Sequence, residues 1–325
     1  MVAYILKRAL LMIPILLGIT LLSFTVMHMA PGGPAEAQME FSSKASAEAR
    51  ERLRKLYGAD QPVHKQYITW LKKFVTLDFG EAFADGRKVK DKILERLPIT
   101  LTINLLSLFV VLLIAIPIGI MSATHQYSTL DRASTMFVFV GYSMPSFWMA
   151  LLLIYLLGVQ WGILPISGKE SLDTTGFTAW QWLSDRASHL ILPVFVSAIG
   201  GLAGFSRYMR NNMLEVLRQD YIRTARAKGL PENTVIYKHA LRNALLPVVT
   251  MIGLNVGHLV AGAVLTETVF AWPGLGRLIF DSILHRDYPV MLGGLLLVSV
   301  CVVVGNLLAD LAYAVIDPRI RLERS

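Results

Sequence analysis

Six long apolar runs constrain the fold of this 325-residue chain more than any other feature of its sequence. An α-helix needs roughly 20 apolar residues to cross a hydrocarbon core about 30 Å thick. Backbone groups in lipid must form their hydrogen bonds within their own segment, which favours helices. The sequence therefore predicts an all-α integral membrane protein with six transmembrane helices, at residues 9–30, 99–121, 134–159, 189–206, 244–270 and 289–316.

The formal net charge of +8 is distributed unevenly between the loops. The two termini and segments 122–133 and 206–247 together hold 14 Lys or Arg, whereas the short loops 160–188 and 271–288 hold 4. Because basic residues are enriched on the cytoplasmic side of membrane proteins, both termini and segment 206–247 are predicted to be cytoplasmic. The charge lies in loops at membrane edges, so it does not indicate nucleic-acid binding.

The predicted spans divide the chain into three parts. Residues 1–98 hold the first span and a long extracytoplasmic loop, for which helices are predicted at 46–57 and 61–77. This loop contains 13 basic and 10 acidic residues, but a loop of such length can be translocated despite its charge. Residues 99–316 form a core of five spans, and residues 317–325 form a cytoplasmic tail.

Segment 206–247 is longer than a connecting turn and has the composition of a folded element. Helix formers predict a helix from Met213 that ends at Gly229 in a left-handed cap. Pro231 prevents immediate continuation, and a second helical stretch is predicted at 232–245. Two readings follow from this pattern: a compact knob below the membrane that contacts a partner, or an amphipathic pair resting on the membrane surface.

Catalytic motifs are missing from the sequence. There is no phosphate-binding loop of the Gly-x-x-x-x-Gly-Lys-Ser/Thr type, no His-Glu-x-x-His and no Gly-x-Ser-x-Gly. The single cysteine, Cys301, excludes an internal disulfide and any cysteine-cluster metal site. We therefore expect a chain that is not an enzyme, has no ATPase site of its own and holds no metal.

A few polar residues lie within or beside the predicted spans and are candidates for a translocation path. Asn255 and His258 are placed in the fifth span, where they would either line a path or bond to another helix. Ser143 lies in GYSMPSFW, where Pro145 predicts a kink. Glu267 would either line the outer mouth of a path or cap the turn AWPGLG.

Several motifs are distributed along almost the whole chain: TARAKG followed by HALRNALLP, HMAPGGP, LDFG, GYSMPSFW, LTETVFAWPGLGR, RDYPV and DPRIR. Together they resemble one family of ABC importer permeases, the dipeptide, oligopeptide and nickel group, and the dipeptide permeases in particular. The general superfamily loop begins Glu-Ala-Ala and places Gly three residues after the second Ala. Here Arg223, Thr224 and Ala225 occupy the first three positions, and Gly229 follows four residues after Ala225. This departure matches the peptide-importer subgroup.

The resemblance implies a type I ABC importer permease-like bundle in a bacterial or archaeal cytoplasmic (inner) membrane. A second related permease subunit, two ATPase subunits that bind ATP and Mg²⁺, and an extracytoplasmic solute-binding protein are implied as partners. Segment 206–247 would then carry coupling helices, and Arg226 and Lys228 would meet acidic groups on the ATPase. The implied coupling residues are Tyr221, Ala225, Arg226, Lys228, Gly229, Leu230, His239 and Leu241.

The function expected from this resemblance is translocation of dipeptides or oligopeptides by alternating access, driven by the separate ATPases. A nickel or oligosaccharide importer permease is the alternative within the family. From another class, an ion-gradient secondary transporter would need ionisable groups at mid-membrane and usually repeated halves, and neither is evident in the sequence. A membrane scaffold without a path is opposed by the polar residues in the fifth span.

Overall fold

The described part of the protein is mostly helical. The computed structural model describes residues 2–29 and 61–316, and within these ranges the only β-pairing is one isolated bridge between Glu81 and Lys88. The predicted helix at 46–57 and the tail at 317–325 lie outside the described residues. In chain order the helices are α1 (Val2–Met29), α2 (Val63–Val75), α3 (Val89–Thr124), α4 (Thr129–Ser143), α5 (Ser146–Leu153), α6 (Ala179–Leu217), α7 (Asp220–Ala227), α8 (Leu241–Val256), α9 (Val264–Val269), α10 (Leu275–Leu284) and α11 (Tyr288–Ile316).

Shorter helical segments extend two of these helices. A π-helical segment, Ile154–Gln160, continues α5. A turn of α-helix, Glu232–Thr234, and a π-helical segment, Val235–Ala240, lead without a break into α8. A 3₁₀ turn, Gly257–Leu259, follows α8. The helical stretch predicted at 232–245 is therefore confirmed, and it runs on through α8.

Four of the described helices are long and apolar enough to cross a membrane, namely α1, α3, α6 and α11. They correspond to the first, second, fourth and sixth predicted spans. The 39 residues of α6 make a rod about 58 Å long, nearly twice the thickness of the hydrocarbon core. A fifth span is obtained if α4 and the bent helix after it are counted together, so the predicted count of six is not confirmed.

The predicted third span, 134–159, is broken in its middle. α4 ends at Ser143, and the helix that begins at Ser146 runs at 101° to it. Pro145 has no backbone N–H to continue the helical ladder, and Met144 before it is extended, as a residue preceding proline prefers to be. A kink was predicted at this point, and the structure shows a full change of direction instead.

The predicted fifth span, 244–270, is also interrupted, which corrects the sequence-based expectation of one continuous helix. α8 ends at Val256, and the chain then passes through the 3₁₀ turn and through Gly262, whose φ is +79°. Glycine adopts this left-handed conformation without the steric penalty of a side chain. α9 begins only at Val264. The apolar run continues across the break because hydrophobicity follows burial and does not depend on helix continuity.

The helices α3 and α6 form the central pair of the bundle. Val111 and Ala115 of α3 and Met209 of α6 belong to the largest cluster of buried apolar side chains. A Cβ atom at Gly119 of α3 would lie 2.6 Å from the Cβ of Met209, which is closer than real atoms approach. Glycine at this position therefore lets the two helices touch, as small residues do in membrane helix packing.

A second close approach joins α8 to α11. A Cβ atom at Gly253 would lie 3.0 Å from the Cβ of Ala309, and one at Gly257 would lie 2.7 Å from the Cα of Val302. The spacing of four residues puts both glycines on one face, toward α11. Asn255 lies midway between them in sequence, so the same packing turns it to the opposite face, away from α11.

The extracytoplasmic loop predicted in the first part of the chain contributes α2, which packs on α1. The hydroxyl groups of Tyr67 and Thr20 are 3.0 Å apart, and the rings of Phe24 and Trp70 lie 5.7 Å apart between centroids. The opposite side of α2 carries exposed apolar residues such as Ile68. A helix at 61–77 is thus confirmed as Val63–Val75, with one face against the bundle.

Candidate coupling surface and polar cavity

Residues 220–243, here called the knob, form a two-helix projection at one end of α6. α6 ends at Leu217, Gln219 is extended, and α7 starts afresh at Asp220. The sequence predicted one continuous helix from Met213 to Gly229, and this prediction was wrong. Because the chain turns here, Ile222 packs against the bundle and is completely buried. A straight continuation of α6 would place Ile222 away from the bundle.

The end of α7 shows why the knob turns where it does. Gly229 has a φ of +74°, the left-handed conformation predicted from the sequence. The Leu230 N–H donates to the Ala225 carbonyl at 3.4 Å, and the Gly229 N–H donates to the Arg226 carbonyl at 2.9 Å. These two bonds form the Schellman arrangement, which satisfies carbonyls that the helix end would leave unpaired. Pro231 then starts the next helical turn.

The inner side of the knob is part of the main apolar core. Its buried residues belong to the same cluster as Met209 and Met213 of α6. Fully burying an apolar side chain is worth roughly 1.5–3 kcal/mol. The two helical stretches are therefore held to the bundle by side chains and cannot move freely on their connections. The anchors are Ile222, Ala225, Val235 and Ala240.

Polar contacts join the two helical stretches of the knob on its exposed side. The Arg226 guanidinium donates to both carboxylate oxygens of Glu232, at 3.2 and 2.7 Å. These hydrogen bonds lower the pKa of Glu232 below its usual range, and they raise the pKa of Arg226. The Asn243 amide donates to the Tyr221 hydroxyl at 2.7 Å. A two-pronged Arg–carboxylate contact fixes orientation as well as distance.

The predicted coupling residues separate into two groups by exposure. Tyr221, Arg226, Lys228, Gly229 and Leu230 are exposed and lie on the outward side of the knob. Ala225 is buried among the anchors, His239 is half-buried, and Leu241 packs against the main core.

The sequence analysis missed three residues that shape this surface. Ile222 anchors it, Glu232 engages Arg226, and Asn243 holds Tyr221. Only Ile222 could have been identified from the sequence, because it lies three residues before Ala225 on the same helical face.

A cavity of about 230 Å³ lies between α3, α6 and the end of α8, and it is open on one side of the chain. The lining residues of α3 and α6 recur at intervals of three or four, so each helix presents one face to it. Among the path predictions whose side chains the structure describes, Asn255 alone belongs to this lining. The lining comprises Asn104, Ser107, Leu108, Val111, Ser197, Gly201, Phe205, Asn255 and Leu259.

Of the other predicted path residues, Ser143 and Glu267 lie outside this lining. Ser143 is exposed at the end of α4, where its hydroxyl donates to the Phe139 carbonyl at 2.8 Å. His258 lies in the 3₁₀ turn, and its side chain is outside the described residues. Asn104, Ser107 and Ser197 were not identified from the sequence. An amide at position 104, within an otherwise apolar run, was the available signal.

Glu267 lies in α9, before the turn that leads to α10, and 1% of its surface is exposed. Its Oε1 accepts from the Thr100 hydroxyl at 2.7 Å, and its Oε2 accepts from the Arg277 N–H at 2.7 Å. The Thr100 hydroxyl also accepts from the Leu275 N–H. The carboxylate thus caps the N-terminus of α10, the second of the two predicted roles, and both oxygens are occupied.

The same turn leaves no room for a larger residue beside the carboxylate. A Cβ atom at Gly274 would lie 2.2 Å from the Cδ of Glu267. The Arg96 guanidinium donates to the Pro273 carbonyl at 3.1 Å, which adds a second contact from α3. Across the residues that the structure describes, no three His, Cys, Asp or Glu side chains converge as a metal site would require.

The structure combines a bundle of apolar helices with an anchored knob at one end and a polar cavity between its helices. The chain belongs to the family of binding-protein-dependent transport system inner membrane components, whose model matches residues 115–322. A second model, for the N-terminal part of such membrane components, matches residues 1–104. The resemblance identified from the sequence motifs is therefore confirmed.

Curated relatives extend over almost the whole chain. The oligopeptide transport system permease protein AppB of Bacillus subtilis (strain 168) is 48% identical over 321 residues, covering 98% of this chain and 99% of the relative. The dipeptide transport system permease protein DppB of Escherichia coli (strain K12) is 42% identical and covers 99% of each chain. The di/tripeptide transport system permease protein DppB of Pseudomonas aeruginosa (strain UCBPP-PA14) is 40% identical and covers both chains fully.

Proposed function

We propose that this chain is the permease subunit of an ATP-binding-cassette importer that translocates dipeptides or oligopeptides. The observation that carries this proposal is the full-length similarity, at 40–48% identity, to three permeases named for oligopeptide, dipeptide and di/tripeptide transport. Similarity over the whole chain includes the knob and the cavity as well as the spans. The nickel and oligosaccharide alternatives have no comparable support among these relatives.

The proposed assembly divides the work between several chains. A second related permease subunit would face this one across the path, and an extracytoplasmic solute-binding protein would deliver the peptide. Two ATPase subunits would bind ATP and Mg²⁺ below the membrane, so this chain would be transport machinery and not an enzyme. Both termini and the knob would then lie in the cytoplasm, as the distribution of basic residues predicts.

The knob is the proposed point at which motion of an ATPase subunit enters the bundle. To transmit a displacement, a surface must be stiff and must be attached to the part that moves. The Schellman cap at Gly229 and the contact between Arg226 and Glu232 give stiffness, and Ile222 and Val235 attach the knob to the core around α6. Tyr221, Lys228 and Leu230 are exposed for contact with the partner.

Arg226 has a different role in this proposal from the one predicted. The guanidinium of Arg226 binds Glu232 of the same chain, so Arg226 holds the two helical stretches of the knob together. Lys228 is left as the predicted cation for acidic groups on the ATPase. A rim charge of this kind tunes the rate of association more than the final affinity.

The proposed path runs along the cavity that Asn255 lines. Ser143 stays a proposed path residue at the exposed bend between α4 and α5, which would have to face the second permease subunit. His258 is proposed from its position beside the cavity residue Leu259 alone. Glu267 is better explained by its hydrogen bonds in the turn, which leave its carboxylate no free oxygen.

Reconstitution tests this function directly. Vesicles containing the complete complex, with external binding protein and internal ATP, are expected to accumulate a labelled dipeptide and to accumulate no Ni²⁺ or oligosaccharide above the level without ATP. The chain alone is expected to move none of them. Peptide uptake that survives ATP depletion but stops when ion gradients are dissipated would instead establish a secondary transporter.

A further inference from the structure

The polar groups that line the cavity share one chemical property. The Asn104 amide donates to the Leu259 carbonyl at 2.6 Å, and the Asn255 amide donates to the Met251 carbonyl at 2.8 Å. The hydroxyl of Ser107 donates to the Ile103 carbonyl at 2.7 Å. Each carboxamide therefore uses one of its two N–H groups within the chain, and its oxygen and its second N–H stay available to the cavity.

The strongest remaining acceptors are two carboxamide oxygens. Within the described part of the chain, no donor lies within hydrogen-bond distance of the Oδ1 atom of Asn104 or of Asn255. A carbonyl oxygen has two lone pairs, and leaving it unpaired in an apolar setting is unfavourable. Both residues are half-buried, on different helices that border the same space.

The positions of these two oxygens are fixed by the fold. The contact of Gly253 and Gly257 with α11 turns Asn255 toward the cavity. The bond from Asn104 to the Leu259 carbonyl ties α3 to the end of α8, where the helix has broken. None of the described lining residues carries a charge. Such a wall offers acceptors to the N–H groups of a ligand and does not favour either sign of side-chain charge.

We propose that this cavity is a peptide-backbone site, in which the carboxamide oxygens of Asn104 and Asn255 accept hydrogen bonds from N–H groups of the passing peptide. The proposal rests on the peptide cargo proposed above and adds the residues and the chemistry of recognition. A volume of 230 Å³ equals that of about eight liquid waters, which is room for a peptide group and its small neighbours.

N-methylation of the peptide bond removes the donor that the site requires and keeps the rest of the cargo. In vesicles with the complete complex, we expect wild type to take up an unmodified dipeptide in preference to its N-methylated analogue. We expect Asn255→Leu to reduce this preference by about three- to tenfold, the value of one hydrogen bond. The binding protein is the same in both preparations, so its own selectivity cancels from the comparison.

A matched control is available on the same helix. Thr250 of α8 donates to the Leu246 carbonyl and lies outside the cavity lining, so Thr250→Val is expected to keep the wild-type preference. An unchanged preference in an active Asn255→Leu complex would overturn the proposal.

Two further outcomes are kept separate by the design. If Asn255→Leu fails to assemble, Asn255→Ala removes the same oxygen without adding bulk, and its preference ratio decides the question. If wild type takes up neither peptide, the peptide function itself has failed. Uptake of both peptides at equal rates by wild type would leave that function intact and would overturn the backbone site.

Discussion

The knob and the Glu267 turn (residues 262–277) are both short helical connections, yet they are held in opposite ways. The Glu267 turn is fixed by a buried carboxylate whose two oxygens accept from Thr100 and Arg277, with glycine packed against it. The knob is fixed by apolar anchors on one side and leaves its polar side in solvent. The comparison indicates that the Glu267 turn is a fixed structural element, whereas the knob presents an exposed polar surface that a partner can bind.

The first test of this difference removes the buried carboxylate. Glu267→Ala would leave the Thr100 hydroxyl and the Arg277 N–H buried without an acceptor and would open a void. We expect the free energy of unfolding to fall by about 3–5 kcal/mol. A large drop in the thermal transition of the purified complex would show this. Asp281→Ala, which removes a half-exposed acid of α10, is expected to leave the transition almost unchanged.

The second test loosens the knob from within. Ile222→Ala removes a completely buried side chain, and such truncations cost about 2–5 kcal/mol. We expect faster hydrogen exchange of the amides of α7 and less peptide transported per ATP, with hydrolysis continuing. Tyr237→Ala, at an exposed position of the knob, is the control and should not change the exchange. Slow exchange in the Ile222→Ala protein would mean that the anchors do not hold the knob.

The third test substitutes Gly229, which strains the backbone of the helix cap but creates no clash with neighbouring atoms. A Cβ atom at Gly229 would meet nothing within 4 Å, so only the left-handed backbone opposes substitution. We expect Gly229→Val to insert normally but to lose most of the coupling between ATP hydrolysis and uptake. The cost of forcing a side chain into this conformation is about 1–2 kcal/mol. Gly229→Asn is the control, because asparagine tolerates it, and normal uptake by the valine variant would contradict the role of the cap.

The smallest effect is expected from the ion pair on the exposed face. Arg226 lowers the pKa of Glu232, so the stability from this pair is present at neutral pH and is lost only as the pH falls through that lowered value. The protection of the knob amides, corrected for the intrinsic pH dependence of exchange, should therefore be the same at pH 7 and pH 6. Arg226→Gln should cost less than about 1 kcal/mol, because both side chains are well exposed. Loosening of the knob at pH 6 would show that another group controls it.

The same two regions show what could be predicted from the sequence. The cap at Gly229 was predictable because its geometry depends on a few neighbouring residues. The partner of Glu267 was not, because Thr100 lies 167 residues away in sequence. The bend at Pro145 was predicted only as a kink and the break after Val256 was missed, because the apolar runs continue across both. Of the cavity, only Asn255 was identified, since its other polar members become neighbours only when α3 and α6 pack.

The central claim is that an ATPase drives this permease through the knob, and a cysteine at its exposed tip tests it most directly. With Cys301 replaced by serine, Lys228→Cys is expected to cross-link to an ATPase subunit in the intact complex and to resist an impermeant thiol reagent added outside cells. Leu172→Cys, fully exposed in loop 160–188, should show the reverse behaviour. Labelling of Lys228→Cys from outside, without any cross-link to an ATPase, would contradict the account.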